Sequence, residues 1–534
     1  MKKQSSYFFK VANLPHEFEQ IHQLNYETFV EEIPQHEKKE ERALVDSFHQ
    51  QNTYLIAVKD HTLIGMVAIH DNRPFSLDKK LGSIESYLPI LSSKICEIRL
   101  LSIRKEYRKT KVFIGLMRLL YQYFIQHNYD TAIISGTTRE LKLYKHMGFI
   151  PFAHLVGTAE ALYQPMYITK EIINQSKDLY HRQLSFLPGP VELTTKIKSA
   201  LLQDVIPHRD RNFYALMTSV QKKLCSLTSS VYVQIMVGTG TYANDCIAAQ
   251  LSLFNEKGLI LSNGEFGERL IKRAERFKLS YRSIKKKWGE TFREEDLLQV
   301  WEEEIKWIWY VHSETSTGVL NSMDMISSFC QKHHAKQIVD SISSIGALPV
   351  SFKNVYLASG VSGKAIGSIS GLSFVFHNHS IQPSLQLPPY LDLGEYFLKN
   401  SVPYTHSSYL LSALNEALSI NFSERFAHIK NHYSFAYKKL LKEGFSIIAD
   451  SKHSTCSILT ISVEKDVPTR LLGDAMKEQG YVLHYESSYL LERNWMQIAT
   501  IGQATLQEMG QMIDLFTALY HYLKRNRTNS MIVN

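Results

Sequence analysis

The 534-residue sequence predicts an α/β protein in two parts: a mixed sheet with helices, followed by a mostly parallel sheet between helices and a small C-terminal α/β subdomain. Three observations predict it. Apolar strand-like runs alternate with amphipathic helical ones along both halves. The run Trp307 to Val311 is so continuously apolar that it reads as a strand buried on both faces. The length exceeds one ordinary core and calls for at least two. Residues 1–169 form the first expected domain, 170–182 a connector and 183–525 the second domain.

In the first part, Glu17 to Ile33 reads as a helix with Ile21, Leu24 and Phe29 on its apolar face. Thr53 to Val58 and Leu63 to Ile69 read as a hairpin turned at Lys59-Asp60-His61. A strand at Ile95 to Ile103, a helix from Phe113 to His127, a strand at Thr131 to Ser135 and a helical Leu141 to His146 follow. Ala159 to Thr169 closes the sheet, and the polar Lys170 to Arg182 is the connector. This order, ending in Leu143-Tyr144-Lys145-His146-Met147-Gly148-Phe149, resembles the GNAT acyltransferase fold. Leu24 to Glu32 and Glu97-Ile98-Arg99-Leu100-Leu101-Ser102-Ile103 resemble the branch that holds N-acyl amino acid synthases and autoinducer synthases.

The resemblance implies transfer of an acyl group from coenzyme A or an acyl carrier protein. Leu101 to Ile103 would be the strand whose N–H polarises the thioester, and Tyr144 would protonate the departing thiolate, unless it is simply packed at a helix end. Relatives carry Arg-x-x-Gly-x-Gly or Ala at the pyrophosphate loop, whereas this chain reads Arg108-Lys109-Thr110-Lys111-Val112-Phe113. With both small positions lost, backbone approach to phosphates is hindered, and Arg108 and Lys111 would have to act by side chain. Glu97 is either a base for an incoming amine or a structural partner of Arg99. A domain that only binds or dimerises is the alternative for this half.

In the second part, Asp340 ends the apolar strand of Val339-Asp340-Ser341, and Lys364 sits in the small-residue loop Ser362-Gly363-Lys364. An acid at a strand end with a later lone lysine is what pyridoxal phosphate chemistry requires. The lysine forms the Schiff base and shuttles protons, and the aspartate keeps the pyridine nitrogen protonated. Ile235 to Thr241 runs as a strand into a Gly/Thr turn and a helix, so Thr239-Gly240-Thr241 is a phosphate site or a capped turn. Phe266, in Ser262-Asn263-Gly264-Glu265-Phe266-Gly267, is an aromatic on a glycine-rich turn that stacks on a cofactor ring or fills core. His312 to Gly318 clusters hydroxyls at the carboxyl end of a buried strand, where open α/β sheets bind ligands.

These motifs in this order, with Phe186-Leu187-Pro188-Gly189-Pro190 and His208-Arg209 before them, resemble the class V aminotransferases of fold type I. Within that class it looks like the alanine:glyoxylate, serine:pyruvate and 2-aminoethylphosphonate transaminases. The resemblance makes Lys364 the Schiff-base lysine, Asp340 the partner of the ring nitrogen and Phe266 the stacking ring. Thr239, Gly240 and Thr241 would hold the phosphate, with Thr315 near the ring hydroxyl or phosphate. Pro403-Tyr404-Thr405 matches a segment that reaches the neighbouring subunit's phosphate, which implies a homodimer with shared sites. One departure stands out. Relatives carry an arginine near the C-terminus that binds the substrate carboxylate, and this chain has Gln497 there; a neutral amide cannot make that charged two-pronged contact. Arg493, close in sequence, would swing in or stay solvated.

The combined expectation is a bifunctional enzyme. It would use pyridoxal phosphate to move an amino group from a small-molecule donor to a carbonyl acceptor, then acylate the resulting amine. The alternative is a lyase or decarboxylase acting on an amino compound that lacks the usual carboxylate anchor, with a degenerate acyl-donor-binding first domain. The net charge of +8 arises from 60 basic and 52 acidic residues, too balanced to argue for nucleic acid. The clusters Lys285 to Lys287 and Lys524 to Arg527 read as solvated surface, since no aromatics interleave them. The cysteines at 96, 225, 246, 330 and 456 lack metal or disulfide spacing and fit a reduced, cytoplasmic setting. His333-His334 and His377 with His379 lack companion ligands and read as surface, so no metal is expected. No signal peptide or membrane span is expected.

Overall fold

The computed structural model describes residues 7–33, 37–38, 40–90, 92–108, 110–158, 161–175 and 183–532. Contacts divide the chain into two compact units. One is Met1–Leu184 with Asp474–Tyr481 and Asp514–Asn534; the other is Ser185–Gly473 with Val482–Ile513. The sequence placed 474–481 and 514–525 in the second domain, and the structure groups them with the first. Specific bonds within the first unit account for this. Tyr522 donates to the Glu17 carboxylate, and Gln479 Oε1 accepts from Phe9 N at 2.7 Å while its Nε2 donates to the Phe9 carbonyl.

The first unit is built on an eight-stranded sheet. Its order is Phe8–Val11, Thr53–Lys59, Thr62–His70, Ile95–Ile103, Thr131–Thr137, Ala161–Thr169 and Ile150–Pro151, with Val156–Thr158 also paired to Ala161–Thr169. The expected hairpin turns at Asp60 and His61, both at positive φ. Helix Val112–Gln126 forms because its apolar residues recur at helical spacing. It buries Leu116, Leu119, Leu120 and Phe124 against Leu55, Ala57 and Val67 of the hairpin, each contributing about 1.5–3 kcal/mol. The parallel pairing of Ile95–Ile103 with Thr131–Thr137 covers Ile95 to Ile98 only. Beyond it the two strands part, and Leu100 bulges at φ +53. Of the expected connector, Lys170–Gln175 is helical and 176–182 lie outside the described residues.

The second unit carries a seven-stranded sheet in the order Tyr232–Val237, Leu372–His377, Leu357–Val361, Lys336–Asp340, Ile305–Val311, Lys257–Ser262 and Tyr281–Lys285. Leu372–His377 is antiparallel to both neighbours, and the other pairings are parallel. Ile305–Val311 lies inside the sheet, next to the central Lys336–Asp340, with Trp307, Ile308, Trp309 and Tyr310 buried, as continuous apolarity requires of a strand covered on both faces. A small three-stranded sheet of Ser446–Ile447, Ile458–Ser462 and Trp495–Ala499 completes the unit. His377, expected on the surface, is instead buried, because it ends a strand paired on both sides. Its ring nitrogens meet Gln234 Nε2 at 3.0 Å and the His379 carbonyl at 2.6 Å.

Candidate active site

At the carboxyl ends of the parallel strands of the second unit lies a cavity of about 240 Å³. It is lined by Lys364, Asp340, Phe266, Thr239, Gly240, Thr241 and Thr315, residues the sequence singled out from separate motifs. Strand order explains the convergence: Ile305–Val311, Lys336–Asp340 and Leu357–Val361 are neighbours in register, so the loops after them open at one edge.

Lys364 is partly buried, and its Nζ donates to Ser343 Oγ at 2.8 Å. That hydroxyl is also 2.5 Å from Thr315 Oγ1, making a short chain from the loop lysine to the HSETSTG strand end. Burial lowers the Lys364 pKa, with Asp340 and Glu314 opposing and Arg269 reinforcing the shift, so the neutral, nucleophilic amine is favoured. The lysine also lies 5.3 Å from the centroid of the Phe266 ring. Gly189, at φ +148, closes over it: a Cβ there would stand 3.2 Å from Lys364 Cγ.

Asp340 is 5% exposed. Its carboxylate accepts from Asn244 Nδ2 at 2.7 Å and from Ile342 N at 3.1 Å. Burial raises its pKa against these bonds and against the fields of Lys364 and Arg273. A buried carboxyl in that condition is stabilised by a cation set against it, and a protonated ring nitrogen is such a group. At the other end, the 13-residue helix Gly240–Ser252 begins, with Thr239 as N-cap in extended conformation and its side chain making no capping bond. That leaves the hydroxyl and the N–H groups of Gly240 and Thr241 for an anion, since those of Tyr242 and Ala243 bond to the Thr239 carbonyl. A Cβ on Gly240 would lie 2.6 Å from Ile342 Cδ1, so a larger residue would push into the cup. Lysine, buried acid, aromatic face and anion cup together fit pyridoxal phosphate.

Glu314 and Gln497 build the wall behind these groups. Glu314 is wholly buried; it accepts from Gly267 N at 3.0 Å, Phe266 N at 3.4 Å and Ser316 N at 3.1 Å, so its carboxylate caps the helix Glu265–Arg276 that carries Phe266. His312 is buried, and burial pushes its pKa down to about 4. Gln497, expected to contact substrate, does not line the cavity and is 0% exposed. Its Nε2 donates to the Thr315 and Ser316 carbonyls at 2.6 and 3.2 Å and to Thr460 Oγ1 at 2.9 Å. Its Oε1 meets His484 Nδ1 at 2.7 Å, and His484 Nε2 meets Ser487 Oγ at 2.8 Å. With the amide oxygen accepting, His484 carries its proton on Nδ1. The amide thus has no donor left for a substrate, and its office is to hold the Thr315 peptide.

Arg493 also stands away from the cavity lining. Its guanidinium stacks on Trp288 at 3.7 Å and donates to the Tyr489 carbonyl at 3.2 Å. Thr405 is exposed and does not line the cavity. Sequence reasoning missed Asn244, Ser343, Glu314, Arg269 and Arg273. The last two were accessible to it: Phe266, Arg269 and Arg273 are spaced i, i+3, i+7 on one helical face, and all three line the cavity.

In the first unit the nominated residues do not converge in the same way. Glu97 is wholly buried and accepts from Ser76 N at 2.8 Å, Ser76 Oγ at 2.5 Å and Leu77 N at 3.3 Å, with Arg99 Nε 3.9 Å away. It anchors the 75–78 segment. Tyr144 lies on helix Leu141–His146, with its ring against Gly136; burial raises its pKa, with a bond from Thr137 opposing. Arg108 is engaged by the Ile103 carbonyl at 2.8 Å and by Glu32 at 2.5 Å. Lys111 is an exposed N-cap of Val112–Gln126. An apolar cavity of about 60 Å³ is lined by Ile98, Met117, Leu120, Phe124, Phe149 and Ile168 among others.

Among the described residues, no cluster suited to a metal ion occurs, and no helix is long and apolar enough to cross a membrane. The family model for aminotransferase class-V matches residues 206–484, just over half of the chain. The model for N-acyl amino acid synthase FeeM matches residues 20–169. A 2-aminoethylphosphonate–pyruvate transaminase of Pseudomonas fluorescens is 26% identical over 353 residues, covering 61% of this chain and 93% of the relative. A soluble hydrogenase 42 kDa subunit of Anabaena cylindrica is 31% identical over 253 residues, covering 44% and 65%. The solved alanine–glyoxylate aminotransferase of Nostoc superposes with a TM-score of 0.59 at 24% identity, over 63% of this chain and 95% of the other; at that identity the likeness concerns the fold.

Proposed function

The chain belongs to the class-V aminotransferases, and on that premise we propose that it transfers an amino group from a small-molecule donor to a carbonyl acceptor, with Lys364 as base and Asp340 as partner of the ring nitrogen. The observation that carries this reading is the partly buried Lys364 amine beside Ser343, facing Phe266, in one cavity with the buried Asp340 carboxylate. Pyridoxal phosphate, when bound, supplies a ring that accepts the electrons left on the donor carbon. This chain's residues do the rest. Thr239, Gly240 and Thr241 would hold the phosphate, Asp340 would keep the ring nitrogen protonated, and Phe266 would fix the ring plane. Thr315 and Ser343 would orient Lys364 Nζ, which would hold the cofactor covalently at rest, take the proton from the amine-bearing carbon and return it.

The first unit carries an N-acyl amino acid synthase domain, and we assign it the acylation of the amine so formed. The donor would be an acyl-CoA or an acyl carrier protein thioester, with Tyr144 protonating the thiolate and the apolar cavity at Ile98 and Phe149 receiving the chain. A homodimer in which Thr405 of each copy completes the other's phosphate site, in a reduced cytoplasm, belongs to the same reading. A second reading is favoured by one observation, the saturation of Gln497: a lyase or decarboxylase whose substrate lacks the usual carboxylate anchor. The test is amine transfer to pyruvate from serine, 2-aminoethylphosphonate and uncharged amines, with the carbonyl product and alanine measured. Stoichiometric transfer from one donor supports the first reading, whereas donor loss without alanine formation favours the second.

A further inference from the structure

Gln497 has no donor to spare, yet an amino donor that bears an acid group needs a cation near Lys364. Two cations besides the lysine line the cavity, Arg269 and Arg273. Arg273 is taken: its Nε lies 2.5 Å from Asp245 Oδ1, its Nη2 points at the Thr241 carbonyl at 3.4 Å, and its side chain is 11% exposed. It stiffens the turn that forms the anion cup. Arg269 differs. Only its Nε is engaged, by Glu265 Oε1 at 2.9 Å, and half of the side chain is open. Among the described residues nothing takes its two Nη groups. Its Cζ lies 4.9 Å from the centroid of the Phe266 ring, the same ring that Lys364 Nζ approaches at 5.3 Å.

We propose that Arg269 binds the acid group of the amino donor in this chain, taking the office that relatives give to the arginine replaced here by Gln497. The proposal rests on the aminotransferase reading and names its substrate class: a primary amine bearing a carboxylate or phosphonate. Glu265 fixes Nε and so aims the planar fork, leaving Nη1 and Nη2 to make the paired contact that suits either oxyanion. The site is placed on a helix rather than at the C-terminal strand.

The test separates this inference from the reading beneath it by using acids that cannot react. Cofactor-loaded protein is titrated with propanoate and with ethylphosphonate, followed by calorimetry, alongside Arg269→Gln and Arg269→Lys variants; pyridoxal phosphate affinity is measured for each. Loss of one charge-assisted pair corresponds to about a tenfold to hundredfold weakening. The expected result is weakening of that size for both acids in Arg269→Gln, partial recovery in Arg269→Lys, and cofactor affinity within about threefold of the parent. Unchanged acid binding in Arg269→Gln overturns the proposal. So does a loss confined to cofactor affinity, which would make Arg269 a phosphate ligand. Failure of the aminotransferase reading would register elsewhere, as absence of keto product from every donor.

Discussion

The Lys364 cavity and the split sheet of the first unit differ in how their polar groups are satisfied. Around Lys364 the reactive groups carry unmet needs: Asp340 is buried without a full counter-charge, Lys364 is driven towards its neutral form, and the Thr239 hydroxyl caps nothing. In the first unit the nominated groups are engaged, Glu97 by the Ser76 and Leu77 segment and Arg108 by Glu32. Strained electrostatics cluster where chemistry is performed. The contrast therefore marks the second unit as organised for a cofactor, and the first as dependent on what its open strand edges and apolar cavity admit.

The comparison is broken most directly at Lys364. Lys364→Ala is expected to lower single-turnover amine transfer by at least about a thousandfold, the scale of a lost general base and nucleophile, while far-ultraviolet dichroism stays unchanged. A residual rate within tenfold of the parent would place the base elsewhere. Gln497→Ala sharpens the distinction between wall and substrate contact. It strands the Thr315 carbonyl and the His484 N–H, so chemical denaturation should show a loss of about 2–3 kcal/mol. The Michaelis constant for an acid-bearing donor should move far less than in Arg269→Gln. The opposite pattern would return Gln497 to the substrate.

In the first unit the comparison turns on stability. Lys10 Nζ lies 2.8 Å from Glu17, which also accepts from Tyr522. Burial raises the Glu17 pKa, but Lys10, Tyr522 and Asn13 outweigh it and hold the group below its ordinary 4.5. A carboxyl depressed on folding stabilises above its unfolded value and loses that stabilisation as pH falls through the folded one. Glu17→Gln should therefore cost roughly 2 kcal/mol at neutral pH, below the figure for a fully buried pair, and should flatten the acid side of the unit's stability profile. Smallest of all, Arg108→Gln should change stability by less than about 0.5 kcal/mol, since its partner is a partly exposed glutamate. A tenfold weaker coenzyme A affinity in the same variant, by calorimetry, would restore Arg108 as a phosphate ligand.

Much of this was legible in the sequence because local rules carried it. Strand-ending Asp340, the small-residue loop around Lys364 and the helix start at Gly240 follow from periodicity and turn chemistry, and tertiary packing brings the three together in one cavity. What stayed hidden depends on partners remote in sequence. Ser343 bridges Thr315 and Lys364 only after folding. Gln497 is saturated by groups 13 to 182 positions away, so an amide that looks like a lost arginine is in fact a brace. The grouping of 474–481 and 514–534 with the first unit stayed hidden for the same reason: nothing local in Gln479 or Tyr522 announces that they bond to Phe9 and Glu17.

The central claim is amine transfer by Lys364. It is tested by loading the protein with pyridoxal phosphate, adding donor without acceptor, and quantifying the released cofactor by chromatography. The account predicts close to one equivalent of pyridoxamine phosphate per chain, matched by keto product and absent in Lys364→Ala. Consumption of the donor with the cofactor recovered unchanged as pyridoxal phosphate would contradict it.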